Sequence, residues 1–186
     1  MERTVHVFEA PGGENTQACV DLVRDEVENN GFRYVIVASS TGETALKMAE
    51  ALDGLEANLM VIVHPKGTDG QPSLSDANRT KLMEKRVSIF GAPDLSFSLD
   101  TAFGSKYAPA NPSHVIWQSF RRFGEGMKVC AEITMMAVDG GLVNEGVEVL
   151  SVGGTNSGAD TVAVMKAAAS KRFQELRVLE ILAKPR

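Results

Sequence analysis

The feature that most constrains this chain is a regular exchange between short apolar runs and helical patterns through its first half. Thr4–Phe8 alternates as a strand does, and Val87–Phe90 is a short apolar run. Tyr34–Ala38 (YVIVA) and Asn58–Val63 (NLMVIV) are almost wholly apolar, as strands covered on both faces are. Between them, Cys19, Val20, Val23 and Val27 make one helical face, opened by Glu14-Asn15-Thr16 and closed by Asn29-Asn30-Gly31. Ala45, Leu46, Ala49 and Leu52 make a second, ending near Asp53-Gly54, and Ser75 caps a third that holds Leu82 and Met83. Strands that alternate with helices in this way predict a largely parallel sheet covered on both faces.

The second half is read less regularly. Leu95, Leu99 and Phe103 suggest a helix over Pro93–Phe103, broken by Gly104-Ser105 and followed by a loop with Pro109 and Pro112. Ser113 then caps His114–Phe123, and Gly124-Glu125-Gly126 separates it from a long helix, Met127–Asp139, that ends at Gly140-Gly141. This helical region carries Phe103, Tyr107, Trp117, Phe120 and Phe123, which at helical spacing read first as core. Val147–Val152 returns to strand, Gly153–Asp160 is a glycine-rich turn, and Thr161–Ala169 resumes a helix. Leu176–Ala183, ended by Pro185, is a last strand expected to run antiparallel at an edge. The expected fold is therefore three-layer α/β: a mostly parallel sheet with helices on both faces, in a single domain over residues 1–186.

Composition narrows the function. A net charge of −5 argues against a general binder of nucleic acid or anionic membrane, while leaving room for a small anion in a local pocket. The two cysteines, Cys19 and Cys130, form no disulfide framework and fit a reducing compartment; His6, His64 and His114 are too scattered for a metal motif. The N-terminus, with Glu2, Arg3, His6 and Glu9, does not read as a signal peptide, and no stretch approaches the roughly 18 apolar residues of a membrane span. A cytoplasmic protein is expected.

Tyr34–Ala45 is the stretch with chemistry in it. An apolar strand breaks into Ser39-Ser40-Thr41-Gly42 and becomes a helix, an arrangement that turns backbone N–H groups and the positive end of a helix dipole toward an anion. Ser40-Thr41-Gly42-Glu43 also fits a capping box, with Ser40 as N-cap and Glu43 reaching back, and that alone explains most of the residues. Four turns look unusual together: Pro11–Thr16, Ser39–Thr44, His64–Gly67 and Gly153–Asp160, three of them leading into helices. Two Gly- and hydroxyl-rich turns at one sheet edge favour a phosphate cradle over either turn alone. Glu14, Glu43, Asp160 and His64 are the candidates for acid–base work at that edge, and Cys130, mid-helix and apolar, is a poor nucleophile.

Val35–Ala45 (VIVASSTGETA) resembles the strand–loop–helix of the C-terminal α/β domain of pyruvate kinase, where a hydroxyl-rich loop holds a phosphate of a sugar-bisphosphate activator. Ser39, Thr41, Gly42 and Thr44 keep that pattern; Ser40 and Glu43 stand where a lysine and an arginine are common. The whole chain is similar to stand-alone relatives of that domain through Glu14-Asn15-Thr16, Ala38–Thr44, Phe123-Gly124-x-Gly126, Gly153-Gly154-Thr155, Gly158–Thr161 and Ala183–Arg186. The resemblance implies a small phosphorylated ligand, flavin mononucleotide (FMN) or another nucleotide, in a regulatory role without pyruvate kinase activity. Its phosphate would lie among Ser39, Ser40, Thr41, Gly42, Glu43, Thr44, Gly153, Gly154, Thr155, Gly158, Ala159 and Asp160, with Asn15 and His64 at the same edge. Trp117, Phe120 or Tyr107 would cover a ring, and a homo-oligomer is implied by the subunit contacts of the pyruvate kinase domain. A flavin- or nucleotide-dependent enzyme and a purely structural oligomeric subunit are the alternatives.

Overall fold

The computed structural model describes residues 3–63, 73–91, 95 and 112–186. Within them lies one seven-stranded sheet in the order β1-β7-β6-β5-β2-β3-β4. Its strands are β1 (His6–Phe8), β2 (Tyr34–Ala38), β3 (Asn58–Val63), β4 (Ser88–Gly91), β5 (Glu148–Gly153), β6 (Thr161–Lys166) and β7 (Arg177–Pro185). The helices are α1 (Thr16–Asn30), α2 (Glu43–Ala51), α3 (Asp76–Glu84), α4 (Pro112–Phe120) and α5 (Glu125–Asp139).

Strand period divides the apolar runs between two cores. Val35, Val37, Val61, Val63, Leu150, Val152, Val162 and Val164 face one side with the apolar stripes of α1, α2 and α3. Ile36, Met60, Ile62, Val149, Ala163 and Met165 face the other with Trp117 of α4 and the long apolar face of α5. Each such side chain removed from water contributes about 1.5–3 kcal/mol, which is why runs like NLMVIV can afford no polar alternation. The expected caps hold at two places: Gly31 ends α1 at φ 73, and the Ser75 hydroxyl accepts the Asn78 N–H at 3.2 Å.

The sheet is mixed rather than mostly parallel. β6 runs antiparallel to both β5 and β7, while β1–β7, β5–β2, β2–β3 and β3–β4 are parallel pairs. The helix expected over Thr161–Ala169 is instead strand β6. Alanines at 163 and 167–169 imitate a helical stripe, but Thr161–Met165 is buried on both faces, where β-branched residues suit a pleated surface. The last strand is antiparallel to β6 as expected but is not an edge: β1 pairs outside it, His6 to Ala183 and Phe8 to Pro185. Gly126 does not separate two helices; it lies in the first turn of α5, where a Cβ would come within 2.2 Å of the Thr161 hydroxyl oxygen. The helix expected over Pro93–Phe103 and the turn His64–Gly67 lie outside the described residues, apart from exposed Leu95.

Candidate functional site: a polar cleft between β2 and β5

In open α/β sheets ligands lie beyond the carboxyl ends of the strands, where strand order reverses. Here β2 leads through α2 to β3 and β4 on one side, while β5 pairs on its other side. The loops that follow these two strands line a cleft of ≈ 740 Å³, together with Gly13 and Thr16 at the head of α1 and Glu125, Lys128 and Val129 at the head of α5. The amino ends of α1, α2 and α5 thus border one space, and their helix dipoles give it a positive bias.

The β2 loop is built differently from a capping box. Gly42, at φ 90, is the residue before α2, and the buried Ser39 hydroxyl accepts the Ala45 N–H at 3.2 Å, so Ser40 and Glu43 do not cap the helix. Ser39 sits at the end of a buried strand, its own N–H bonded to the Ile62 carbonyl at 3.1 Å, and so reaches the first turn from inside. Gly42 faces away from the cleft: a Cβ there would meet Leu74 Cδ1 at 2.6 Å, and the Asn78 amide donates to the Thr41 carbonyl at 2.9 Å. Its lack of a side chain lets the chain meet α3, not a ligand. Ser39, Ser40, Thr41, Glu43 and Thr44 all line the cleft. The Ser40 and Thr44 hydroxyls make no hydrogen bond among the described residues, and the same holds for the Ser40, Thr41 and Gly42 amides.

The second turn is a hairpin between β5 and β6 and opens no helix. Asp160 is fully buried; one carboxylate oxygen accepts the Gly12 N–H at 3.0 Å and the Thr155 N–H at 3.1 Å. The other accepts the Thr161 hydroxyl at 2.8 Å. The Thr16 hydroxyl accepts the Ala159 N–H at 3.0 Å and donates to the Gly13 carbonyl at 2.6 Å. Gly158, at φ 72, lies so close that a Cβ would be 2.3 Å from that hydroxyl. These contacts lash the hairpin to the head of α1. Asp160 and Ala159 are therefore fastenings and, with Gly153, lie outside the cleft lining, as does Asn15, whose side-chain amide donates to the Ala10 carbonyl at 2.8 Å. Gly154, Thr155 and Gly158 do line it, beside Asn156 and Ser157. His64 is outside the described residues, and exposed Glu14 is not part of the lining.

Sequence reasoning missed the cations. Lys47 is exposed on α2, one turn after Glu43, and has no ion-pair partner among the described residues. Arg121 holds Glu125 through two hydrogen bonds of 2.5 and 3.1 Å. Lys128 pairs with Glu132 on the buried side of α5 and lies 5.6 Å from the centre of the Trp117 ring. Lys47 was findable as the residue four on from Glu43 on a helix that leaves the loop. Lys128 already stood in the first turn of the expected helix Met127–Asp139, where Glu132 four residues on could have marked it. Trp117 keeps its core reading, buried with its ring 6.1 Å from the half-buried Phe120, which meets Phe173 edge-on, whereas Phe123 is exposed and Phe103 is outside the described residues. Tyr107 is outside the described residues.

Burial pushes both thiols up to about 12, at Cys130 despite hydrogen bonding to Ser151, and at Cys19 with a further rise from the Asp160 charge. Among the described residues, no helix is long and apolar enough to cross a membrane. No protein-family model matches the chain.

Proposed function

We propose that this cleft binds a small phosphorylated ligand, with its phosphate between the Ser39–Thr44 loop and the Gly154–Gly158 turn. The observation that carries the reading is the convergence of the α1, α2 and α5 amino ends on one cleft lined by unengaged hydroxyls and the unpaired Lys47. A phosphate dianion suits such a place, because backbone N–H groups and helix dipoles favour negative charge. The same arrangement supports reading the chain as a stand-alone relative of the pyruvate kinase C-terminal domain, with FMN as the ligand that resemblance brings. No aromatic ring lines the cleft among the described residues, so the reading rests on the phosphate and not on a stacked ring. Of the acid–base candidates, Asp160 is spent on three hydrogen bonds and Glu14 stands off the cleft, while Glu43 lines it.

The test is a visible absorption spectrum of freshly purified protein, with mass spectrometry of whatever heat releases. Release of FMN or another phosphorylated compound is expected. Nothing released, together with no thermal shift across a panel of phosphorylated compounds, would remove the cradle reading.

A further inference from the structure

One ion pair in the cleft wall has no task in phosphate binding. Arg121 lies in the short turn Arg121–Phe123 before α5, Glu125 is the first residue of α5, and both line the cleft. Gly124 between them sits at φ 116, which glycine adopts readily, so the pair closes across a turn of chain rather than along one helix. The Glu125 carboxylate accepts Arg121 Nε–H at 2.5 Å and Nη2–H at 3.1 Å, which takes two of the five guanidinium N–H groups. The other three, on Nη1 and Nη2, donate to nothing among the described residues, and each carboxylate oxygen keeps a lone pair. A donor and an acceptor, Nη2 and Oε1, thus stand 3.1 Å apart, each with a further hydrogen bond to make.

Place and charge say what such a pair meets. α1 and α2 pack into the core that holds Val35 and Val37, and α5 into the core that holds Ile36. The phosphate loop with Lys47 and the Arg121–Glu125 pair therefore flank the carboxyl edge of the sheet from opposite faces, and a ligand that touches both crosses that edge. The cleft of ≈ 740 Å³ has room for this, within the range of ~300–1,000 Å³ that buries ligands of drug size. Arg121 and Glu125 cancel in charge, as Glu43 and Lys47 do, and the Lys128 ammonium meets Glu132 and the Trp117 ring, outside the lining. A second anionic group on the ligand would add charge that no further lining side chain offsets. A neutral group with an acceptor beside a donor would use both open positions of the pair.

We propose that the far end of the ligand is a planar ring with a C=O beside an N–H, the lactam or imide edge of guanine, uracil or flavin nucleotides. Arg121 Nη2 donates to the ring carbonyl and the Glu125 carboxylate accepts the ring N–H. This rests on the phosphate reading above and narrows it to nucleotides over plain sugar phosphates. The ring is read by its edge, which needs no aromatic side chain in the lining.

The full chain is titrated in a calorimeter with ribose 5-phosphate, guanosine monophosphate, uridine monophosphate and FMN, then with the tightest nucleotide methylated on that ring nitrogen. At least one nucleotide should bind ~10-fold or more tightly than ribose 5-phosphate, and ring methylation should remove the gain. Glu125→Ala should bring that nucleotide down to the affinity of ribose 5-phosphate and leave ribose 5-phosphate itself unchanged, a split that a structural brace across Gly124 would not produce. Ribose 5-phosphate binding as tightly as all three nucleotides overturns the ring-edge reading and leaves the phosphate site standing. So does a gain that survives ring methylation or Glu125→Ala, or an equal loss of both ligands in that variant. No saturable binding of any of the four compounds overturns both readings.

Discussion

Asp160→Ala should be the most damaging single change at the sheet edge, though it touches no ligand. The carboxylate is fully buried and accepts from Gly12 N–H, Thr155 N–H and the Thr161 hydroxyl. Hydrogen bonds to a charged acceptor contribute about 1.5–3 kcal/mol each, so three give a ceiling of roughly 4.5–9 kcal/mol. Gly12 and Thr155 are only half-buried, so water can satisfy their amides once the carboxylate is gone, which brings the expected loss to about 4 kcal/mol. For a chain of this size that is a fall in Tm of about 8–16 °C. Asp160→Asn should lose only about 1–2 kcal/mol, because its carbonyl oxygen can still accept both amides while its NH₂ donates to the Thr161 oxygen. Urea unfolding of the three proteins, with unchanged m-values, measures this directly. An alanine variant within about 1 kcal/mol of wild type, or an asparagine variant as damaged as alanine, would refute the fastening role.

Further outcomes follow from the same contacts. Gly126→Ala should destabilise by about 3 kcal/mol or more in denaturant unfolding, despite the better helix propensity of alanine, since its Cβ would sit 2.2 Å from Thr161 Oγ1 and 2.7 Å from Asp160 Oδ1. Ser39→Ala should lose about 1–2 kcal/mol and Ser40→Ala less than about 0.5, the reverse of what a Ser40 capping box requires, as chemical denaturation would show. Cys19 and Cys130 should resist a thiol reagent in native protein and react on unfolding. Their folded-state pKa values of about 12 exceed the ordinary 9.0, so the unfolded chain releases these protons first. Their contribution to stability is complete below pH 9 and falls as pH rises toward 12, which an alkaline unfolding series compared with the Cys→Ser double variant would register.

The first four strands and the helices between them were legible because NLMVIV, YVIVA and the α1 stripe each carry a single unambiguous period. The cleft's β2 wall was legible only in part, since its hydroxyl-rich break after a buried strand also fitted a capping box that the Ser39–Ala45 contact replaces. β6 was not legible: an alanine-rich strand buried on both faces shows no alternation, and Ala163 and Ala167–Ala169 lean toward helix. That error carried over to function, because the Gly153–Asp160 turn then seemed to open a helix that α5 in fact supplies from elsewhere in the chain. Asp160 and Gly42 looked like ligand groups for a related reason. Both are demanded by tertiary contacts, to Gly12 and Thr155 in one case and to Leu74 in the other, that no local pattern announces.

The most direct test of the phosphate cleft is an amide chemical-shift titration of the full chain with glycerol 3-phosphate. Saturable shifts should concentrate at Ser39–Thr44, Gly154–Gly158 and the first turns of α1 and α5, and Lys47→Met should weaken the apparent affinity by about tenfold. Shifts scattered over surface lysines without saturation, or none at all, would contradict a phosphate site between β2 and β5.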